Sequence, residues 1–502
     1  MNQETCRRWL LSFALLLVTP SIIDAAPLVA GAAKVDITRQ DEPANDRLYA
    51  RALVIKSETT AVAIITLDVV SLGEIGYISN EFAPSVRARI EKEFGIPAAN
   101  VIINTSHCHG VPARDTDVRT IAAVRQAVKN LVAVRIGAGL GHEDRIQANR
   151  RLVLKSGKEA DVRHAYSMPA DDTVADVGPI DPEIGVVRLD AEDGRTVAVL
   201  YNFTIHPIQG VPGGANTADL TGYSSSVIED NLSDGAIALF LQGCAGDINP
   251  VFYKDVDHPR HAEPLGNMLG LSTLKALRKV RTKDDNRLVL LNETIDLPRA
   301  DVAHRILEME AEQQRLLKSL GGTTLNLKTF LSLTMKHQLS PEFPSYYSHR
   351  YMHEKKLGRE DLRHHDAANR RAIQQYVRNI QTMEELTRLA TNLRLLRKHQ
   401  ANNLAAEKRT VDTEVTALRL GDFVMVTFPG EATVRIGLNI KKKSPHDLTF
   451  VAAYTNGYIY YAPTEAQLKN NVGRAQEDSE CILAPAWQKI YEAKAIEMLG
   501  KL

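Results

Sequence analysis

Short apolar runs alternate with helical stripes over the first three hundred residues, and a much longer helical stripe follows. Val62-Ala63-Ile64-Ile65-Thr66-Leu67 is apolar at both odd and even positions, which predicts a central strand buried on two faces. Val101-Ile102-Ile103 and residues 186–189, 197–203 and 237–241 predict further strands, with Asp193-Gly194 as a hairpin turn between the strands at 186–189 and 197–203. A helix is expected over 85–94, closed by Gly95-Ile96-Pro97. From about 301 to 409 the period changes. Ile306, Met309, Leu316, Leu317 and Leu320 recur at helical spacing, as do Ile373, Val377, Ile380, Met383, Leu386, Leu389, Leu393 and Leu396, the second set with gaps of three and four only. Strand patterns return at 415–420 and 423–428, joined by Gly421-Asp422, and at 450–454, before a terminal helix over 487–499. The pattern is that of an α/β protein: a mixed-sheet core with flanking helices and a long helical insertion at about 301–409.

Composition narrows the class. The chain has 502 residues, is 44% hydrophobic and 24% charged, and sets 61 basic side chains against 61 acidic ones. That balance leaves no net field to collect nucleic acid or anionic lipid. Arg7-Arg8, the apolar run from Trp9 to Val18 and the small pair Ala25-Ala26 have the order of a secretory signal peptide over 1–26. The expectation is a secreted or periplasmic protein, folded from 27–502 as one domain, with no transmembrane segment in the mature chain. Cys6 leaves with the leader, and Cys108, Cys244 and Cys481 are too few for a disulfide framework. Gly137-Ala138-Gly139-Leu140-Gly141 lacks the spacing and βαβ setting of a dinucleotide loop.

Candidate chemistry gathers at predicted strand ends, where α/β folds commonly bind ligands. Asn104-Thr105-Ser106-His107-Cys108-His109-Gly110 follows the apolar run at 101–103. In an extended backbone His107 and His109 share a face and can address one divalent metal, with Cys108 on the opposite side as a small buried residue. Taken alone, such a pair is equally a turn cap and a core imidazole. His206 ends the strand at 197–203, Glu431 follows the strand at 423–428, and Tyr461 follows the strand at 450–454. Imidazole and carboxylate are donors that Zn²⁺ accepts readily, and a phenol is a rarer one. Asp219 and Asp247, in loops, suit turn formation by accepting backbone N–H bonds or the orienting of a ligand.

The series His107-Cys108-His109-Gly110, Asn149-Arg150, His206, Asp219-x-x-Gly222-Tyr223, Gly246-Asp247-Ile248-Asn249-Pro250, Pro429-Gly430-Glu431 and Asn456-Gly457-Tyr458-x-x-Tyr461 resembles, in the same order, the motifs of the neutral/alkaline, non-lysosomal ceramidase family. The likeness is to that family's N-terminal catalytic domain without its C-terminal immunoglobulin-like domain. It implies a catalytic Zn²⁺ on His107, His206, Glu431 and Tyr461, with His109, Arg150, Tyr458 and the Asp247–Asn249 loop at the reaction centre. It further implies amide hydrolysis by metal-activated water, with Arg150 or Tyr458 on the oxyanion and His109 protonating the leaving nitrogen.

Three departures bear on the substrate. Ceramidases carry a serine where this chain has Asn249, which is no nucleophile and so excludes an acyl-serine there. Gly110-Val111-Pro112 stands where they have a Ser-Gly-Pro-like turn. The insertion is not part of their motif set, and its His349, Arg350, Tyr351 and His353 are candidates to reach over the site. The expected substrate is ceramide or another N-acyl lipid or amino sugar. An ester, lactone or glycan linkage on the same scaffold is the alternative, and a non-catalytic binding protein a third reading.

Overall fold

The structure, a computed structural model, describes residues 27–162, 169, 171–232, 235–253, 255, 257–345, 348–470 and 475–502. The leader expected over 1–26 lies outside them.

Two-residue periodicity divides the strands between layers. Along Ala61–Leu67, Val62 and Ile64 enter one apolar layer, and Ala63 and Ile65 enter another. This strand belongs to an eight-stranded mixed sheet in the order Ile237–Gln242, Thr196–Phe203, Glu183–Ala191, Val132–His142, Val29–Asp36, Tyr49–Lys56, Ala61–Leu67 and Val101–Thr105. The pair at each end of that order is parallel, and the pairs between are antiparallel. A second sheet runs Leu288–Pro298, Thr410–Leu420, Phe423–Thr427 and Thr449–Ala452, with only the last pairing parallel.

The sheets stack face to face. Leu53, Ile64, Leu200 and Leu239 of the larger share an apolar layer with Leu418, Phe423, Met425 and Phe450 of the smaller. Outside the larger sheet lie the helices Phe82–Phe94 and Thr116–Lys129 on one half and Asp219–Asp230 and Glu263–Leu277 on the other. Val434–Lys443 and Trp487–Leu499 cover the smaller sheet. The result is a helix, sheet, sheet, helix sandwich in which each apolar face has a partner.

The expected strands, the helix ended by Gly95 and the terminal helix are present. Asp193-Gly194 makes the expected turn, with Gly194 at φ 84°. Gly137 to Gly141 lie within the strand Val132–His142, paired with Glu183–Ala191, so they form no phosphate loop. The pattern does not single out Leu288–Pro298, whose Asn292, Glu293 and Thr294 interrupt its apolar run. The insertion consists of the helices Ala303–Ser319, Leu327–Leu339, Ser348–Lys356 and Asp361–Ala405. Met309 and Leu316 of the first pack against Leu386, Leu389, Leu393 and Leu396 of the last. No helix among the described residues is long and apolar enough to cross a membrane.

Strand ends of both sheets meet at one polar seam. Asn104 Nδ2 donates to Ala453 O at 2.7 Å and to Thr455 Oγ1 at 2.8 Å, and its Oδ1 accepts from Gln242 N at 2.9 Å. Gln242 Nε2 donates to Ser106 O and Ile205 O. Buried amides thereby satisfy backbone groups where the ladders stop, and they fix the loops carrying His107, His206 and Tyr454 relative to one another.

Candidate metal centre and its cavity

The strand Val101–Thr105 ends before His107, which sits in the left-handed region at φ 66°. The extended geometry expected for the histidine pair is therefore absent, because a non-glycine residue at positive φ turns the chain out of the strand at a cost of about 1–2 kcal/mol. His107 N–H donates to Val69 O at 3.0 Å, and its ring Nδ1 meets Val70 O at 2.7 Å, which holds the turn. The turn sends the two rings to different places. His107 is buried, while His109 is exposed at the cavity wall, with ring centroids 5.3 Å apart and planes nearly perpendicular. Cys108 is buried, as expected.

His206 lies just beyond Thr196–Phe203, its N–H bonded to Ile248 O and its Nδ1 2.5 Å from Ala245 O. Glu431 begins a two-residue bridge in which it pairs in parallel with Tyr461. Glu431 Oε2 is 3.1 Å from His206 Nε2 and 3.5 Å from His107 Nε2, and one donor atom from each of the three residues lies within 4.8 Å of the others.

The donor set fits a divalent metal. Each Nδ1 lies against a carbonyl oxygen, so a neutral ring in either place donates from Nδ1 and turns the lone pair of Nε2 inward, toward a carboxylate oxygen. Burial pushes the His107 imidazole down to about 4, against the pull of Glu431, so at neutral pH no proton there relieves the repulsion. Burial works to raise the Glu431 carboxyl, yet it is held well below the usual range, with the Tyr458 hydroxyl among the groups that bond it, so it stays an anionic donor. Three electron-rich atoms face one another in a buried space, and a cation among them satisfies all three.

Two phenols orient the carboxylate. Tyr458 OH donates to Glu431 Oε1 and Tyr454 OH donates to Oε2 at 3.2 Å. Burial and the Glu431 charge hold both phenols well above the ordinary tyrosine range, so they remain donors. Tyr454 is missing from the sequence-based set. It sits at φ 55° just after the strand Thr449–Ala452, the same strand-end signal that picks out His206 and Glu431. Tyr458→Phe removes the donor to Oε1 and is expected to lower metal affinity about 10- to 100-fold with the fold retained. A metal titration followed by calorimetry checks this, and an unchanged affinity rejects the orienting role.

Arg150 is buried behind the centre. Its Nη1 donates to Asn249 Oδ1 at 3.0 Å, its Nη2 to Tyr461 OH at 3.2 Å and to Gly246 O, and its Nε lies 2.7 Å from Glu477 Oε1. Asn249 thus meets Arg150 through its amide oxygen and is not among the residues lining the cavity. Asp247 is also off the cavity wall, its carboxylate accepting from Val434 N and Asn149 Nδ2. Asp219 accepts backbone N–H bonds from Gln209, Gly210 and Leu220 and shapes its turn.

These groups lie on a cavity of about 260 Å³ whose wall includes His107, His109, Arg150, His206, Glu431, Tyr458 and Tyr461. The insertion reaches it through Leu395, Lys398 and His399 of the helix Asp361–Ala405. His349, Arg350, Tyr351 and His353, expected over the site, lie on the helix Ser348–Lys356 and do not line it. Tyr351 instead stacks edge-on with Phe343.

No protein-family model and no curated protein sequence matches the chain. Solved structures do. A neutral ceramidase from Pseudomonas aeruginosa superposes with a TM-score of 0.61 at 16% identity, over 95% of this chain and 75% of its own. A ceramidase complexed with C2 gives 0.57 at 16% identity, over 94% and 75%. The fold is therefore shared with these ceramidases.

Proposed function

We propose that the protein is an exported, zinc-dependent hydrolase that cleaves an amide (N-acyl) bond, in ceramide or in another N-acyl lipid or amino sugar. The observation that carries this reading is the convergence of His107 Nε2, His206 Nε2 and Glu431 Oε2 at a cavity, on a fold shared with neutral ceramidases. Two imidazoles and one carboxylate are a donor set of catalytic zinc sites, and the leader-like pattern over 1–26 supports export. Zinc held there, with Tyr461 as a fourth donor, would supply a Lewis acid and bring the pKa of a bound water to about 7.

The chain's own groups complete the chemistry. Tyr454 and Tyr458 keep the Glu431 carboxylate turned toward the two rings. Tyr458's proton is committed to Glu431, so the Arg150 guanidinium, at the cavity wall and ion-paired with Glu477, is the group assigned to negative charge developing on the carbonyl oxygen. His109, exposed on the cavity wall beside His107, holds the proton for the departing nitrogen. Asn249, bonded to Arg150, positions that guanidinium.

Gently purified protein is expected to carry about one Zn²⁺ per chain and, when loaded, to hydrolyse members of a panel of short- and long-chain ceramides and N-acetylated sugars in preference to simple esters. Elemental analysis and product detection check both parts. Absence of bound metal, or cleavage of esters alone, rejects the proposal.

A further inference from the structure

The inward stripe of the helix Asp361–Ala405 runs Leu389, Leu393, Leu396, and then turns polar at His399, Gln400 and Asn403. A polar residue on a buried stripe needs partners. Gln400 has them in Val302 N and Asp301, and Asn403 in Ala300 O, Ile482 O and Arg299. His399 does not. It is 2% exposed, its Nδ1 meets no donor or acceptor, and neither ring nitrogen has a hydrogen-bond partner among the described residues. The ring instead packs edge-on against Tyr460 at 4.6 Å and forms part of the cavity wall.

Lys398, next in the chain, is exposed at the same wall. Its Nζ lies 5.4 Å from the centroid of the same Tyr460 ring, and it has no ion pair among the described residues. Tyr460 is held in turn by its hydroxyl on Glu74 Oε2 at 2.8 Å, so the platform beneath both side chains is fixed. The other charged groups on this wall are already engaged. Arg150 pairs with Glu477, Glu431 faces the two imidazoles, and Glu480 accepts from Gln476. Burial, with Lys398 alongside, pushes the His399 imidazole down to about 4 against Glu74, so at neutral pH the ring offers one N–H donor and one acceptor.

We infer that His399 and Lys398 form a substrate subsite contributed by the helical insertion, and that it selects N-acyl compounds whose amine part carries a carboxylate. This rests on the amide-hydrolase reading and names its substrate class. A carboxylate entering beside the cavity meets an N–H donor with no other partner and an ammonium with no counter-charge, which satisfies both together. A neutral head group would leave Lys398 without its match.

The test uses the zinc-loaded full chain and two non-cleavable probes. One is the ketone in which a methylene replaces the amide nitrogen of N-hexanoylglycine, and the other is the primary amide of that ketone acid. Calorimetry is expected to show the acid binding about tenfold tighter than its amide. Lys398→Met should erase that preference, and His399→Ala should weaken both probes about tenfold. Should His399→Ala fail to fold, Lys398→Met decides alone, since Lys398 is exposed. The subsite is rejected if neither probe binds, if the two bind equally, if the preference survives in Lys398→Met (the mark of a carboxylate held by the metal), or if a folded His399→Ala binds as wild type does. Binding with the expected preference, but without cleavage of N-hexanoylglycine itself, would instead reject amide hydrolysis and leave the subsite standing.

Discussion

His206→Ala is expected to remove the bound metal and lower turnover on the order of a thousandfold or more, since loss of even an outer-sphere partner of a metal ligand costs about 10- to 100-fold. The side chain is one of the three His and Glu side chains that converge within 4.8 Å among the described residues, so the loss takes away one of the two imidazoles proposed to hold the ion. Folding should survive. His206 lies beyond the last residue of Thr196–Phe203, whose pairing with Ile237–Gln242 is untouched, and its N–H bond to Ile248 O does not involve the ring. His109→Ala is the informative partner variant. Its ring is exposed at the wall and outside the converging donors, so it should keep the metal and still lose turnover. Elemental analysis, circular dichroism and activity on the same preparations separate the two. If His206→Ala retains turnover within tenfold of wild type, the metal centre is not the reaction centre.

The strands that build the layers were readable because burial on alternate faces leaves a two-residue signature, and Val62 to Leu67 carry it without interruption. The converging donors were readable for a related reason: a polar donor just past an apolar strand is pointed where loops gather. His206 and Glu431 follow that rule. His107 reaches the same place by another route, since its ring is aimed by a left-handed turn that no spacing rule reports. What the pattern missed depends on tertiary partners. Tyr454 and Glu477 become informative only once Glu431 and Arg150 are beside them. The wrong part of the insertion was expected over the cavity because clustered histidines at 349–353 draw attention, whereas His399 interrupts a leucine stripe as a single residue. The bond of Asn249 to Arg150 needed the pairing of 248–250 with 147–149, which no local pattern reports.

Arg151→Met is expected to destabilise the protein by about 3–5 kcal/mol, the cost of leaving a buried charge without its partner. Arg151 sits in the strand Arg151–Leu154, and its guanidinium forks onto Asp478 at 2.9 and 3.0 Å while Nε bonds Glu159 at 2.8 Å. Burial works against its charge, but Asp478 and its neighbours more than offset this and hold the guanidinium well above its ordinary range. The same short helix, Gln476–Ser479, supplies Glu477 to Arg150, and Arg305 of the insertion donates to Asp478 O and Ser479 Oγ. One charge cluster therefore fastens the strand behind Arg150, the segment leading to the cavity residue Glu480, and the first helix of the insertion. Replacing both members of the fork, Arg151→Met with Asp478→Leu, removes the stranded carboxylate and should recover about 2 kcal/mol or more relative to Arg151→Met alone. Denaturant unfolding of the two single variants and the double one closes the cycle. Strictly additive losses would mean that the fork carries no coupling, and that the cavity rim is held by packing. A recovery would mean that a buried charge pair sets the position of Arg150, one residue before the fork and in contact with Tyr461.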